Sequence, residues 1–256
     1  MVIMNNLKME LAGIIDHTLL KPYASVSDIE NLCREAVQMG YFSVCVNGCW
    51  VQVATEALAE TEVRVAAVVG FPLGAMDADV KRYETEVAID EGAEEIDVVI
   101  NVGRLKSGDF RSVHRELRDI VEAADERLVK VIIETCYLTD EEKKNACRIA
   151  SEAGAHFVKT STGFGEGGAR VEDIQLMAEA VKGKLGVKAS GGIRDTMTAL
   201  KMIQAGATRL GLSSSKKIID GLEEADVQAW LQQLAQLRII PPHGNDGFPG
   251  IGQPLN

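Results

Sequence analysis

The chain repeats one pattern of hydrophobic and polar positions. A segment with helical spacing of apolar residues ends at a glycine, and a short run of β-branched and apolar residues follows it, as in QMGYFSVCVN (38–47), DEGAEEIDVVIN (90–101), SEAGAHFVKTS (151–161) and QAGATRLGLSS (204–214). Glycine just past a helix supplies the left-handed conformation that ends it. Helical segments such as SDIENLCREAVQM and TDEEKKNACRIASEA open with a Ser or Thr that can cap them. The pattern therefore predicts alternating helices and strands.

Eight apolar runs predict eight strands, at intervals of roughly thirty residues. They are 12–18, 42–47, 64–70, 95–101, 129–135, 156–161, 185–190 and 208–213. Regular alternation favours one parallel α/β domain, and eight units favour a (β/α)8 TIM-type barrel over an open sheet. No GxGxxG motif follows the first strand, which argues against a dinucleotide-binding sheet. We expect the barrel to span residues 1–236 and the Pro- and Gly-rich residues 237–256 to form a tail.

Composition and charge exclude several classes of protein. The chain has 256 residues, 46% of them hydrophobic, and a formal net charge of −11. It has no apolar run of about 18 residues that predicts a membrane span and no basic stripe that predicts nucleic-acid binding. The segment MVIMNNLKMELAG lacks the apolar core of a signal peptide, and five cysteines indicate reduced thiols. We expect a cytoplasmic protein with no nucleic-acid or membrane partner.

Charged side chains stand near the ends of four predicted strands that are otherwise apolar. Strands one and four contain Asp16 and Asp97, and strands six and seven contain Lys159 and Lys188. Barrel enzymes carry their chemistry at the carboxyl ends of strands, on side chains that alternate inward. A single lysine in a strand often lies at a sheet edge or extends its amine to solvent. Strands of a closed barrel have no edges, however. The charges of two lysines also balance those of two aspartates, as a shared buried site requires. The four charges therefore predict one shared buried site.

Two lysines in a buried site indicate amine chemistry. An ordinary lysine amine, with a pKa of about 10.4, is protonated at neutral pH and is a poor nucleophile. Burial and a neighbouring ammonium group both favour the neutral form of an amine, which attacks a carbonyl to form a Schiff base. A carboxylate such as Asp97 can transfer protons to and from that adduct, directly or through water.

Glycine-rich segments follow the last two predicted strands. SGGIRD (190–195) and GLSSS (211–215) lie where barrels of this architecture bind phosphate through backbone amides and a helix N-terminus. Tight turns need the same residues, so the loops alone leave both interpretations open. The four histidines are not spaced as metal ligands, and we predict neither a metal nor a cofactor.

Seven segments, in chain order, resemble the deoxyribose-phosphate aldolase family. They are DHTLLKP (16–22), VCVN (44–47), VVGFPLG (68–74), EIDVVINVGRLKSGD (95–109), VKVIIET (129–135), FVKTSTGF (157–164) and VKASGGIR (187–194). The resemblance implies a class I aldolase with a TIM-type barrel. Such an enzyme reversibly splits 2-deoxy-D-ribose 5-phosphate into D-glyceraldehyde 3-phosphate and acetaldehyde without metal. Barrels of this kind often pair, so we expect a homodimer.

The resemblance also implies a role for each matching residue. Lys159, the lysine of the KTSTG motif, would form the Schiff base, and Lys188, in VKASGG, would keep that amine neutral. Asp97 would relay protons, and Asp16 would pair with Lys188. Lesser contacts to substrate or water would come from Thr18, Asn47 and Thr162, and the phosphate would be held by Gly191, Gly192, Ser213 and Ser214.

The chain departs from the family pattern in two places. The end of the chain has no tyrosine, which assists proton transfer in some members, and Phe164 stands where some members have a lysine that helps to hold phosphate. Proton transfer would then depend on Asp97, Lys188 and water. Phosphate selectivity would depend on backbone amides and serine hydroxyls.

Two alternatives stay open beside this aldolase: another Schiff-base aldolase that acts on a different phosphorylated sugar, and a non-catalytic barrel that only binds a sugar phosphate. A metal-dependent aldolase is disfavoured, because the chain lacks paired histidines. Cys45, Phe71 and Val99 predict a small apolar slot, which favours a small donor such as acetaldehyde. The presence of both lysines and of Asp97 favours catalysis over binding.

Overall fold

The computed structural model describes residues 2–224 and 227–229. The eight strands within these residues form a closed parallel barrel. Each strand pairs with its neighbour in chain order, and the first strand pairs with the last. The strands are β1 (Ile15–Leu19), β2 (Ser43–Asn47), β3 (Arg64–Val69), β4 (Glu95–Val99), β5 (Leu128–Ile132), β6 (Phe157–Lys159), β7 (Gly186–Ser190) and β8 (Arg209–Leu212). The predicted (β/α)8 barrel is confirmed. The predicted boundary at 236 and the tail 237–256 lie outside the described residues.

Helices connect the strands around the outside of the barrel. They are α1 (Val2–Ala12), α2 (Val26–Met39), α3 (Val51–Leu58), α4 (Ala78–Asp90), α5 (Val102–Lys106), α6 (Phe110–Ala123), α7 (Asp140–Glu152), α8 (Val171–Val181), α9 (Thr196–Gln204) and α10 (Ser215–Asp220). Within residues 2–224 and 227–229, no helix combines the length and the apolar character needed to cross a bilayer.

Caps set several helix ends. Thr139 and Glu142 form a capping box at the start of α7, as the sequence predicts. At α2 the capping residue is Ser25, which pairs with Asp28 and lies two residues before the predicted start. Gly40 ends α2 in the left-handed conformation.

The observed strand bounds differ from the prediction by two or more residues at the start of the first strand and at three carboxyl ends, and elsewhere by no more than one. The first strand begins at Ile15 rather than at residue 12, because α1 extends to Ala12. Strands β4, β5 and β6 end at residues 99, 132 and 159, two or three residues earlier than predicted. At β4 the reason is local: the Asn101 side chain accepts a hydrogen bond from Arg104 N at 3.0 Å and starts α5.

The alternation of strand side chains separates two apolar regions. Outward residues such as Val44, Ile96 and Val98 pack under the helices in the main core. Inside the barrel the apolar cluster is small and consists of Leu20, Cys45, Ala66 and Val68, with Phe71 packed against it. Bulky aliphatic layers usually fill such a barrel, but here much of the interior is charged.

Phe157 packs closely against Gly186 on the next strand. The two are register partners between β6 and β7, and a Cβ atom on Gly186 would lie 2.2 Å from the Phe157 ring. The ring in turn lies 5.4 Å from the Arg209 guanidinium. This close approach explains why a residue without a side chain begins β7.

We predict that Gly186→Ala lowers the free energy of unfolding by about 1–3 kcal/mol, because the added methyl forces the Phe157 ring aside. The measurement is the urea midpoint, followed by circular dichroism. The matched control is Gly48→Ala, where a Cβ atom would meet nothing within 4 Å. Equal midpoints for the two variants would contradict this packing.

Candidate active site

Asp97 lies at the centre of a buried cluster inside the barrel. Its Oδ2 atom accepts hydrogen bonds from Lys159 Nζ and Lys188 Nζ, each at 2.7 Å, and its Oδ1 atom accepts one from Lys130 Nζ at 2.7 Å. Because two lysines share one oxygen, their nitrogens are no farther apart than the sum of those two bonds. The structure therefore places two amines and a carboxylate within reach of a single small molecule.

Strand register produces this arrangement. Lys159 and Lys188 are direct partners across β6 and β7, and Asp97 and Lys130 are direct partners across β4 and β5. Side chains at partnered positions of parallel strands point to the same face, so all four point into the barrel. In each strand the apolar residues next to the charged one point to the outer face, so the charged side chain points into the interior.

Asp16 joins the cluster from β1. One of its oxygens contacts Lys188 Nζ, and the other accepts a hydrogen bond from Arg209 Nη1 at 2.8 Å. The predicted partnership of Asp16 with Lys188 is present in the geometry. The pairing of β1 with β8 closes the barrel. Through Lys188 and Arg209, Asp16 therefore links the first strand to the last two strands at this site.

Three members of the cluster were missed in the sequence. Lys130 Nζ lies 2.5 Å from Glu95, and Arg209 Nη1 lies 3.3 Å from the same carboxylate. The cluster thus contains four cations (Lys130, Lys159, Lys188, Arg209) and three carboxylates (Asp16, Glu95, Asp97). The expected balance of two lysines and two aspartates is wrong. Lys130 in VKVIIET carries the same signal as Lys188 in VKASGG, a lysine at an inward position of an apolar strand.

The carboxylates of the cluster are held in their ionised form. Burial alone would raise the pKa of Asp97, but the neighbouring lysines, with Lys130 the largest contributor, hold it well below its ordinary value. Burial also opposes ionisation of Asp16, and there Lys188 and Arg209 are the main groups that lower the pKa.

Lys188 is held in its charged form. Burial opposes the charge, yet Asp16 and Asp97 raise the pKa of Lys188 above its ordinary value. The same balance holds at Lys130, where burial is outweighed by Asp97 and Glu95 and the pKa is raised. A permanent cation therefore lies beside Lys159 throughout the neutral pH range.

The structure commits the hydroxyls of two predicted minor contacts to protein atoms. Thr18, near the end of β1, donates to the backbone carbonyl of Asp16 at 2.8 Å. Thr162 is buried and donates to the Glu134 carboxylate at 2.5 Å. Asn47 is half-buried at the end of β2. All three lie at the carboxyl-terminal side of the barrel, as predicted.

The two predicted phosphate loops begin side by side. Ser190, the last residue of β7, is level with Gly211 of β8. Gly191 and Gly192 follow with φ values of 83° and 77°, a conformation that glycine adopts without strain. On the neighbouring loop Ser213 is exposed, and Ser214 is half-buried just before α10.

A cavity of about 250 Å³ opens beside the ends of β4, β5 and β6. Its walls include Val99, Glu134, Thr162, Tyr137 and Phe164. The Phe164 ring meets Phe71 edge to face, with ring centroids 5.4 Å apart. The predicted apolar slot is therefore divided: Cys45 and Phe71 belong to the inner cluster, while Val99 lines this cavity.

Across residues 2–224 and 227–229, no group of three or more His, Cys, Asp or Glu side chains is arranged to hold a metal ion.

The fold and the buried lysine–aspartate cluster are those of a TIM-barrel aldolase. Residues 11–220 match the model of the DeoC/LacD family of aldolases. The chain belongs to this family, and the resemblance seen in its motifs is confirmed.

Named relatives cover most of the chain. A deoxyribose-phosphate aldolase from Thermococcus gammatolerans is 54% identical over 222 residues, which are 85% of this chain and 99% of the relative. One from Coprothermobacter proteolyticus is 56% identical over 214 residues, 84% of this chain and 98% of the relative. The tetrameric deoxyribose phosphate aldolase of Aeropyrum pernix superposes with a TM-score of 0.79 at 34% identity, covering 84% of this chain and 92% of that structure.

We predict that Asp16→Asn destabilises the protein by about 3–5 kcal/mol at pH 7, because it leaves the buried charges of Lys188 and Arg209 without a partner. The pKa of Asp16 is lowered from 3.8, so its contribution is complete above pH 3.8 and is lost as the pH falls through the lower folded value. The gap between wild type and variant should therefore narrow below pH 3.8.

Urea unfolding at pH 7 and at pH 3 measures this gap. The control is Asp90→Asn, an exposed aspartate that makes no hydrogen bond or ion pair to the residues that the structure describes. A gap at pH 7 no larger than that of the control would contradict the role of Asp16.

Proposed function

We propose that this protein catalyses the reversible aldol cleavage of 2-deoxy-D-ribose 5-phosphate to D-glyceraldehyde 3-phosphate and acetaldehyde through a Schiff base on Lys159. The observation that carries the proposal is the sharing of one Asp97 oxygen by two buried lysines. The relatives named deoxyribose-phosphate aldolase, at 54% and 56% identity, support the choice of substrate.

Lys159 is the amine best placed to act as the nucleophile. Lys188 contacts both Asp16 and Asp97, and Lys130 contacts both Asp97 and Glu95, whereas Lys159 contacts Asp97 alone. Lys159 therefore forms fewer ion pairs than either of the other two lysines. Cations also outnumber carboxylates by one in this buried cluster, which favours one uncharged amine. Lys159 ends β6 and is 3% exposed, whereas the other two lysines are completely buried.

The reaction follows from a neutral Lys159 beside a fixed cation. The Lys159 amine attacks the C1 aldehyde of the substrate, and loss of water gives a protonated imine. The C2–C3 bond then breaks as the C3 hydroxyl loses its proton, and the electron pair moves to the imine nitrogen to form an enamine. The three-carbon product leaves as an aldehyde. Protonation of the enamine carbon and addition of water release acetaldehyde and restore the amine.

Asp97 and Lys188 serve the proton transfers of this sequence. Asp97 is ionised and contacts the nucleophile, so it accepts and returns protons through a water molecule near Lys159. Lys188 keeps its proton, because two carboxylates raise its pKa, and it opposes protonation of Lys159 by its charge. Asp16 holds Lys188 in place. No step requires a metal or a cofactor.

The phosphate of the substrate binds, in this proposal, at the loops after β7 and β8. Gly191 and Gly192 supply backbone amides, and Ser213 and Ser214 supply hydroxyls and amides from the neighbouring loop. The loops start at the same level on paired strands, so one phosphate can contact both. Thr18, Asn47 and Thr162 contact the sugar or the water from the other strand ends.

The same proposal extends to assembly and compartment. All five cysteines are free thiols, which supports a reducing compartment such as the cytoplasm. The expected homodimer remains a prediction, beside the tetramer of the Aeropyrum pernix relative. Light scattering should give twice the chain mass of 27.6 kDa, and four times that mass would favour the tetramer.

We predict that borohydride reduction in the presence of acetaldehyde attaches a two-carbon adduct to Lys159, because only a neutral amine with access to solvent forms the imine. Peptide mass mapping locates the adduct. It should be absent from Lys159→Ala and present at full level in the control Lys184→Ala, an exposed lysine. An undiminished adduct in Lys159→Ala would contradict the formation of the Schiff base on Lys159.

We predict that Lys188→Met moves the optimum of the cleavage rate to higher pH, by about one unit or more, because a cation that opposes protonation of Lys159 is gone. The pH profile of kcat/KM measures the shift. Lys184→Met serves as the control and should keep the wild-type profile. An unchanged profile in Lys188→Met would refute the role given to Lys188.

A further inference from the structure

Glu134 combines two features that cost stability and serve no obvious packing purpose. Its backbone has φ 52° and ψ 67°, in the left-handed region that non-glycine residues rarely adopt. Its side chain is a buried carboxylate, 3% exposed. Within residues 2–224 and 227–229, no lysine, arginine or histidine forms an ion pair with it. Strained backbone and unpaired buried charge persist where the surrounding structure holds them for function.

Backbone hydrogen bonds on both sides hold Glu134 against the segment that contains Lys159. Ile133 N donates to the carbonyl of Lys159 at 3.0 Å, and Thr135 N donates to the carbonyl of Thr160 at 2.9 Å. The left-handed turn at Glu134 lies between these two bonds. It directs the side chain across to the loop that follows β6.

The carboxylate binds one residue of that loop, Thr162, at two atoms. Thr162 N donates to Oε1 at 3.2 Å, and the Thr162 hydroxyl donates to Oε2 at 2.5 Å. Phe164 N donates to the same hydroxyl oxygen at 3.0 Å. A threonine oxygen has one proton to give and two lone pairs. The proton is therefore directed to Glu134, one lone pair is used by Phe164, and one lone pair remains.

Thr162 and Glu134 both line the 250 Å³ cavity at the ends of β4 to β6. The remaining lone pair belongs to a wall that is otherwise formed largely by Val99, Tyr137 and Phe164. At Thr162, a group in this cavity meets an acceptor and no proton, because the Thr162 hydroxyl proton is committed to the Glu134 carboxylate. The matching ligand group is a hydrogen-bond donor such as an alcohol.

We propose that Glu134 is a positioning residue, which fixes the Thr162 hydroxyl so that it accepts a hydrogen bond from a hydroxyl group of the substrate bound at Lys159. The inference rests on the proposed function, since it takes Lys159 as the amine that binds the substrate. It adds a preference that the lysine cluster does not provide: substrates with a hydroxyl are favoured over analogues that lack it. The two-point contact is what makes the orientation firm, because the Glu134 carboxyl group accepts from both the amide and the hydroxyl of Thr162.

The test compares a hydroxylated substrate with one that has no hydroxyl. In Glu134→Gln, kcat/KM for cleavage of the sugar phosphate should fall roughly 10- to 100-fold, the cost of weakening a charge-assisted hydrogen bond. The initial rate of borohydride trapping with acetaldehyde should fall far less, because acetaldehyde has no hydroxyl to reach Thr162. Glu60→Gln, on an exposed glutamate, is the matched control. Equal losses in the two assays would mean that Glu134 supports Lys159 itself and would overturn the proposal.

A double-variant cycle shows whether Glu134 acts through Thr162. Thr162→Val removes the hydroxyl and keeps the shape, so adding Glu134→Gln to it should cost no further activity. Thr162→Ser should retain most of the activity, because it keeps the hydroxyl. Losses that multiply in the double variant would overturn the proposal.

A second substitution keeps the experiment decisive if Glu134→Gln does not fold. Glu134→Asp retains the charge but withdraws the carboxylate from Thr162, and should show the same separation of the two assays. A wild-type protein that traps no acetaldehyde would instead defeat the proposed function, which distinguishes that failure from failure of the Glu134 proposal.

Discussion

The architecture depends on one carboxylate that is shared by three lysines. Asp97 is fully buried in the barrel interior, and Lys130, Lys159 and Lys188 each lie 2.7 Å from it. Buried charges are tolerated only when partners and hydrogen bonds compensate for lost hydration. Every other charged residue of the interior can be understood as part of that compensation: Asp16 and Glu95 offset the additional cations, and Arg209 bridges these two carboxylates.

This constraint explains why the barrel interior has so little aliphatic packing. The inner apolar cluster is confined to one side, around Cys45, Ala66 and Val68. The hydrophobic stabilisation comes mainly from the outer layer, where strand residues meet the helices. The outer layer therefore provides the stability that allows a strained and charged interior. The same division lets the ends of the strands carry chemistry without weakening the fold.

Much of this could be predicted from the sequence, because periodicity reports which face of a strand is buried. The eight strands, the barrel and the convergence of Lys159, Lys188 and Asp97 follow from apolar runs interrupted at inward positions. Lys130 carries an equivalent signal, a lysine among apolar strand residues, but it stands near the start of its predicted strand (129–135) rather than near the end. Helix α1 is not predicted, because the apolar residues at its carboxyl end continue into the apolar run of the first strand.

Other features of the site depend on contacts that no local pattern encodes. Glu134 reaches Thr162 only because a left-handed turn follows β5 and two strands run side by side. The pairing of Glu95 with Arg209 joins positions 114 residues apart. Such contacts require the register of the closed barrel. A single sequence contains the residues for these contacts but does not say which of them meet.

The link from Asp16 to β7 and β8 has a consequence for the newly made chain. Asp16 is in the first strand, and its partners Lys188 and Arg209 follow 172 and 193 residues later. During synthesis the nascent polypeptide contains Lys159 well before the ribosome has made Arg209. Until the last strand is made, Asp16 and Glu95 lack Arg209, and the charged cluster around Asp97 is incomplete. Closure of the barrel and completion of its charged interior are therefore one event.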